Sequence, residues 1–492
     1  MVTITVEQAL QTALAYHQSG QLESAGAIYR QILRVQPQHP EALHSLGLIS
    51  AALGQQDVAA ELIAQAIVHS PAQPIFYSNL GEIYRRLGRL EESIACFQRA
   101  LALHADLPET FSNYAAALAA AERLDEAIPW YHRALAQKPG AVDTNMNLGV
   151  TLVKLGRFDE AVRCFERVVK LDPDFRGALG TLGVTLLLLG NYEAGWRCYE
   201  GRRAGSTAKG DFPTPRWDGG PATGRTILIH AEQGFGDTIQ FFRYVPLIRQ
   251  YSGASHVIFE CQPELVRLLS TAAGRRFELI PHRSWNNTAS PPFDLHLALL
   301  SLPLALQLFE PLQVSTPYLF PGSELRGRWR ARLSSDATLR VGIAWEGSPT
   351  HNENRRRSID LSCLLPVLSL PHVTFYSLQP NPVSNAASPL TEAGVVDVTD
   401  LITDFADTAA LIVELDLVIS VDTAVAHLAG ALDRPVWTLL AFVPDWRWGL
   451  KREDTPWYPT MRLFRQPKRD DWDSVIHRVA EELTALATRY TP

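Results

Sequence analysis

The chain has 492 residues, 46% of them hydrophobic and 20% charged, which is long enough for more than one core and excludes a disordered polymer. A net charge of −7 provides no global basic field of the kind that holds nucleic acid. The start MVTITVEQALQTALAYHQ has no basic flank or long apolar run, no stretch reaches membrane-spanning length, and five scattered cysteines suit a reducing compartment. A cytoplasmic chain without a disulfide framework or zinc site is expected.

Small residues recur at Gly47, Gly81, Ala115, Gly149 and Gly183 in steps of 34, and large ones at Tyr29, Ile63, Phe97, Tyr131, Phe165 and Tyr199 in the same step. Ala25, Ala59, Ser93, Ala127, Ala161 and Gly195 form a second small set, and Pro37, Pro71, Pro139 and Pro173 close several units. Small positions let the first helix of each unit approach the second, the large side chains fill the space beside them, and proline ends the second helix. Six helix pairs are expected over residues 1–204, starting near Val6, Pro40, Pro74, Pro108, Val142 and Arg176. These positions resemble the tetratricopeptide pattern, and the resemblance implies an all-α solenoid whose first helices line a groove for a protein or peptide partner. Asn79, Asn113 and Asn147 stand two residues before successive small positions. Their side chains each offer a donor and an acceptor, so they either clamp a peptide backbone as a ladder or face solvent.

Residues 205–225, rich in Gly, Pro and Thr, read as a linker, with Trp217 expected to dock it onto a neighbouring domain. Beyond it, strands TILIHA (226–231), HVIFEC (256–261) and FELI (277–280) alternate with helical stretches, and a second series runs LRVGIAW (339–345), VTFYSL (373–378), DLVISV (416–421) and PVWTLLA (435–441). This alternation predicts two parallel-sheet halves, 226–323 and 339–492, joined by a hinge at 324–338, with the final helix from Trp472 packing back across the structure. In such halves a ligand sits beyond the carboxyl ends of the strands.

Three strand ends carry candidate chemistry. The loop EQGFGD places Gly234 and Gly236 where the backbone turns tightly, and Asp237 there is either a helix cap or a general base for an acceptor hydroxyl. The strand DLVISV runs into Asp422, Thr423 and Ala424, whose amides suit a diphosphate, with His427 one turn on, facing the cleft or simply packed. The loop after GIAW carries Arg355, Arg356 and Arg357, a phosphate-neutralising set or a solvated charge run.

EQGFGD paired with SVDTAVAHLAG resembles glycosyltransferase family nine, the heptosyltransferase group, and GIAWEGSPTHNENRRRS, FYSLQ, PDWRWG and TPWYPT are similar to bacterial chains that fuse such a module to tetratricopeptides. The resemblance implies a GT-B-like module of two Rossmann-like halves, the first on the acceptor side and the second on the nucleotide-sugar side. It also implies an inverting, generally metal-independent transferase that needs no cofactor beyond its nucleotide-sugar co-substrate. On this resemblance Asp237 matches the catalytic aspartate, and Asp422, Thr423 and His427 match the motif beside the donor diphosphate. Ala424 stands where the family has glycine, and Arg356 or Arg357 stands in for its phosphate-binding lysine. Two alternatives remain: a protein-binding scaffold that has lost turnover, favoured by Ala424, and a nucleotide-sugar epimerase on the same halves.

Overall fold

A computed structural model describes residues 4–103, 107–175, 177–203, 212, 214–273, 277–282, 291–333, 338–348, 354–379 and 394–490. Arg176, most of 205–213, residues 334–337 of the expected hinge and 349–353 of the arginine loop lie outside the described residues. The chain divides into two compact units, 1–175 and 176–492.

The first unit holds five antiparallel helix pairs: α1 (Val6–Gln18) with α2 (Leu22–Val35), α3 (Pro40–Ala52) with α4 (Gln56–His69), α5 (Pro74–Arg86) with α6 (Leu90–Ala102), α7 (Pro108–Ala120) with α8 (Leu124–Gln137), and α9 (Val142–Lys154) with α10 (Phe158–Leu171). Proline at the first position presets the helical φ of α3, α5 and α7. A Thr5 capping box starts α1. The turn inside each pair needs one left-handed residue, supplied by Gly20, Gly54, Gly88 and Gly156, and in the fourth pair by Glu122 at φ 59°. The small positions permit close approach: a Cβ on Gly149 would lie 2.5 Å from Phe165 Cε1. Buried hydroxyl pairs join successive first helices, Ser78 to Thr110 at 3.2 Å and Thr144 to Ser112 at 2.9 Å. Ala59, Ile63, Phe76 and Leu80 belong to one of the apolar clusters between these helices.

The sixth pair, α11 (Ala178–Leu188) and α12 (Tyr192–Tyr199), falls in the second unit, so the compact division comes before residue 204, where the repeat pattern alone ends the solenoid. A four-stranded sheet follows in the order β3-β2-β1-β4, all parallel, with β1 Thr226–His230, β2 His256–Cys261, β3 Glu278–Pro281 and β4 Leu295–Ala298. The linker expectation is shortened from its far end: Trp217 is buried, its backbone N–H donates to His296 O at 2.8 Å, and Ala222 bonds Ser252 O at 2.7 Å, so both belong to this half. The second sheet has the order β10-β9-β8-β5-β6-β7, again all parallel: β5 Leu339–Ala344, β6 Val373–Ser377, β7 Val396–Asp397, β8 Leu417–Val421, β9 Val436–Leu440 and β10 Met461–Arg465. β4, β7 and β10 are additional to the strands expected from the sequence.

Two further expectations change. Ser323–Arg330, placed in or beside the hinge, is a helix that buries Trp329 and pairs Arg326 and Arg330 with Glu414 of the second half at 3.0 and 2.8 Å. The chain has already reached that half at Tyr318, whose N–H donates to Ala431 O. The final helix, Trp472–Ala487, buries Val475, Ile476, Val479 and Leu483 in the core of the second half, beside helix Leu361–Leu368. Its apolar stripe is satisfied where it already lies.

Candidate functional site

Two helices, one from each half, start at the carboxyl ends of interior strands and pack against each other. Phe235–Phe241 follows β1, and Ala424–Ala431 follows β8. Gly236 sits at the contact: a Cβ there would come 2.7 Å from His427 Cδ2 and 3.5 Å from Ala424 Cα. Helix packing between the halves therefore requires a glycine at this position. Gly234 is the N-cap residue of the first helix, with extended backbone.

Asp237, at the third position of its helix, is a cap. Its Oδ2 accepts from Gly234 N at 2.9 Å. Its Oδ1 pairs with Arg447 of the PDWRWG segment, which the sequence does not mark as a site residue. Burial pushes this carboxyl up from its ordinary value and Arg447 pulls it back. Arg447 is 5% exposed in its side chain and also bonds Asp445 at 2.9 Å and Gln240.

Across the contact, His427 Nδ1 lies 3.0 Å from Tyr458 OH, its Nε2 lies 4.0 Å from Asp422 Oδ1, and its ring faces Trp448 at 5.2 Å. Burial holds His427 well below the ordinary histidine range, and the nearby Arg447, Arg243 and Arg357 add to this. His427 is buried, and it lies beside Asp422 and Gly236 at the contact between the two helices. Burial raises Asp422, with Asp445 adding to it and Trp448 and Arg357 opposing. Thr423 is the N-cap of the second helix, and its hydroxyl lies 3.0 Å from Ser420 Oγ.

The arginine triplet divides. Arg355 is exposed and Arg356 half-buried, while Arg357 turns inward and donates from Nη1 to Asp422 O at 3.1 Å, packed beside Gly347. Arg243 is a second buried cation, donating to Trp457 O at 2.9 Å and Tyr318 OH at 3.2 Å. Thus Gly236, Asp237, Arg357, Asp422, Ala424 and His427 converge, and Arg447, Asp445, Arg243 and Tyr458 join them. The signal for Arg447 was present as an arginine between two tryptophans, but its partner lies 210 residues away.

The asparagines belong to the first unit. Asn79 Nδ2 lies 2.8 Å from His44 Nε2, Asn113 is half-buried and Asn147 is exposed. Among the described residues no helix is long and apolar enough to cross a membrane.

Comparison with known proteins follows this division. Residues 10–74, 74–106 and 118–182 match tetratricopeptide repeat families, and residues 399–470 match glycosyltransferase family 9 (heptosyltransferase), which supports a glycosyltransferase. The chain is 28% identical over 299 residues to Protein FlbA of Caulobacter vibrioides, covering 56% of this chain and 49% of that one, so it spans about half the length of the curated relative it matches. Among solved structures it is similar to YrrB, a tetratricopeptide protein with an unusual peptide-binding site (21% identity, 37% of this chain, 93% of that one, TM-score 0.32). It is also similar to PilW, a type IV pilus biogenesis factor (22% identity, 41% and 93%, TM-score 0.38). The chain carries tetratricopeptide repeats in its N-terminal part and, in its C-terminal part, a segment of the glycosyltransferase family 9 (heptosyltransferase) type.

Proposed function

We propose that the second unit transfers a sugar from a nucleotide-sugar donor to an acceptor hydroxyl, with inversion and without a metal, and that the repeats recruit the protein that carries or accompanies the acceptor. The observation that carries this reading is the meeting of Asp237 with the Asp422–His427 helix start at the carboxyl ends of β1 and β8, beside the inward-turned Arg357. Asp237 takes the acceptor proton, and the acceptor oxygen forms a bond to the anomeric carbon as the bond to the diphosphate breaks. The nucleoside diphosphate leaves toward Arg356, Arg357 and the amides of Thr423 and Ala424, which meet its negative charge. Burial supports the basic role, because it raises the affinity of Asp237 for a proton.

One observation favours the scaffold reading: both oxygens of Asp237 are engaged, one by Gly234 N–H and one by Arg447. Calorimetric titration of the full chain with UDP-, GDP-, ADP- and dTDP-activated sugars, followed by product analysis with a captured partner, separates the readings. Saturable donor binding with transfer supports the enzyme, binding with sugar isomerisation but no acceptor supports an epimerase, and no donor binding supports the scaffold. For the groove, replacing Asn79, Asn113 and Asn147 together by Ala is expected to weaken partner capture while leaving donor binding intact. Unchanged capture would remove the ladder.

A further inference from the structure

The sixth helix pair does more than end a row of repeats. Trp196, on α12, is 1% exposed, and its indole N–H donates to Phe309 O at 2.9 Å. Its ring meets Tyr199 of its own helix edge-on at 5.8 Å and, likewise edge-on, two rings from outside that helix: Phe241 at 5.8 Å and Trp446 at 5.2 Å between centroids. These two rings flank the two members of one ion pair. Phe241 stands one turn beyond Asp237 on the same short helix. Trp446 precedes Arg447, whose guanidinium lies 4.4 Å from the Trp446 ring centre and 5.6 Å from that of Phe241. One indole thus braces both sides of Asp237–Arg447. Tyr199 of α12 and Arg202 in the turn just beyond it reach the loop before Asp237: Tyr199 OH is 3.1 Å from Gln233 Nε2, and Arg202 pairs with Glu232.

We propose that the sixth helix pair is a built-in part of the site and that Trp196 is a positioning residue, holding the Trp446–Arg447 turn, and through it Arg447, against Asp237. Edge-to-face contacts add a directional attraction to the burial of a ring, so removing this indole loosens the Trp446–Arg447 turn it packs against. The consequence for catalysis rests on Asp237 being the base. The groups that face its carboxylate are Arg447 and Asp445 from the 444–449 turn, Glu232 and the Gly234 N–H from its own loop, and Tyr199 from α12. Of these Arg447 favours the charged form most, so a loosened Arg447 raises the pH at which the base becomes active.

The test compares Trp196→Ala, Trp196→Leu and Trp196→Phe in the full chain by hydrogen exchange and by kinetics. In the Ala and Leu variants, exchange at residues 444–449 is expected to rise about tenfold or more while β8, residues 417–421, keeps the parent protection. Phe is expected to restore most of it. If a donor is turned over, kcat falls with the donor KM kept, and the acid limb of the rate profile moves to higher pH. Unchanged exchange at 444–449, or an equal rise in β8, overturns the inference. Failure of the base reading looks different: Asp237→Asn then transfers at the parent rate, while the exchange pattern still judges Trp196.

Discussion

Gly149 in the solenoid and Gly236 in the second unit solve the same physical problem in different settings. Each lets one helix come so close to another that a methyl group would collide with a ring, Phe165 in the first case and His427 in the second. The first contact is one of a series, repeated with Gly81 against Phe97 and Gly47 against Ile63. The second occurs once, between helices from two different sheets. A packing requirement repeated at a fixed step announces itself in the sequence, whereas a single long-range contact leaves only a glycine.

The comparison is sharpest where the contact carries chemistry. Asp237→Asn keeps the size of the side chain and an acceptor for Gly234 N–H, but removes the basicity and the charge opposite Arg447. If Asp237 is the base, transfer falls about 10²–10⁴-fold with donor binding kept. A folded variant that transfers at the parent rate, in a steady-state assay with the donor and acceptor of the parent, would leave this carboxylate as a cap alone.

Gly236→Ala and Gly149→Ala test the two settings directly. Each added methyl forces a buried ring to move, costing about 1–3 kcal/mol of stability. At Gly149 the cost stays within one repeat, so donor binding is expected to be unchanged. At Gly236 the same methyl separates the Asp237 helix from the His427 helix, so donor affinity and turnover fall along with the urea midpoint of the second unit. Equal donor affinity in both variants would show that the two halves need not touch at this point.

How much was legible follows from the same contrast. The helix starts at Pro40, Pro74, Pro108 and Val142 agree with the step of 34, because each unit restates the pattern of the last. The strands of both sheets with continuous apolar runs were also readable. LHLA at β4 and the two-residue β7 were too short to stand out from their surroundings. At the site, motifs that follow a strand directly were visible, including Asp237, Asp422 and His427. Arg447, Tyr458 and Trp196 act through partners far away in sequence, and although Arg447 stands between two tryptophans, nothing local names those partners. His427 illustrates the limit: its position was readable, but its burial depended on Gly236 of the other half and on Tyr458, 31 residues further along its own half.

The triplet Arg355–Arg357 permits a finer test, because the structure separates residues that the sequence treats alike. Arg357 alone of the three donates to Asp422 O. A charge-assisted bond to a donor phosphate is worth about 1.5–3 kcal/mol, so Arg357→Met is expected to weaken nucleotide-sugar binding roughly tenfold to a hundredfold. Arg355→Met, at an exposed position, is expected to change it less than about twofold, within the usual range for surface charges. Calorimetry that ranks Arg355 above Arg357 would move the diphosphate away from the Asp422 helix start.

The smallest effect lies within the solenoid, where one repeat departs from the others. Gly88 and Glu122 occupy the same left-handed position in successive turns, with φ 75° and 59°, and both turns make the same backbone bonds, Gly88 N to Arg85 O and Glu122 N to Ala119 O. No atom lies within 4 Å of a Cβ built on Gly88, so Gly88→Ala meets no steric neighbour and its cost is conformational. A left-handed L-residue costs about 1–2 kcal/mol, partly offset by the roughly 0.4–1 kcal/mol gained when alanine restricts the unfolded chain, which leaves a net loss near 1 kcal/mol. Glu122→Gly runs the same exchange in reverse, but it also removes the exposed pair with Lys154 at 3.3 Å, worth about 0–1 kcal/mol. Its net change is therefore expected to be a gain smaller than the loss at 88, between about zero and 1 kcal/mol. Urea unfolding of the full chain, followed by hydrogen exchange in peptides from α5 to α8, reads both. A gain at 122 as large as the loss at 88 would mean that the Lys154 pair contributes nothing and that backbone conformation alone separates the fourth repeat from its neighbours.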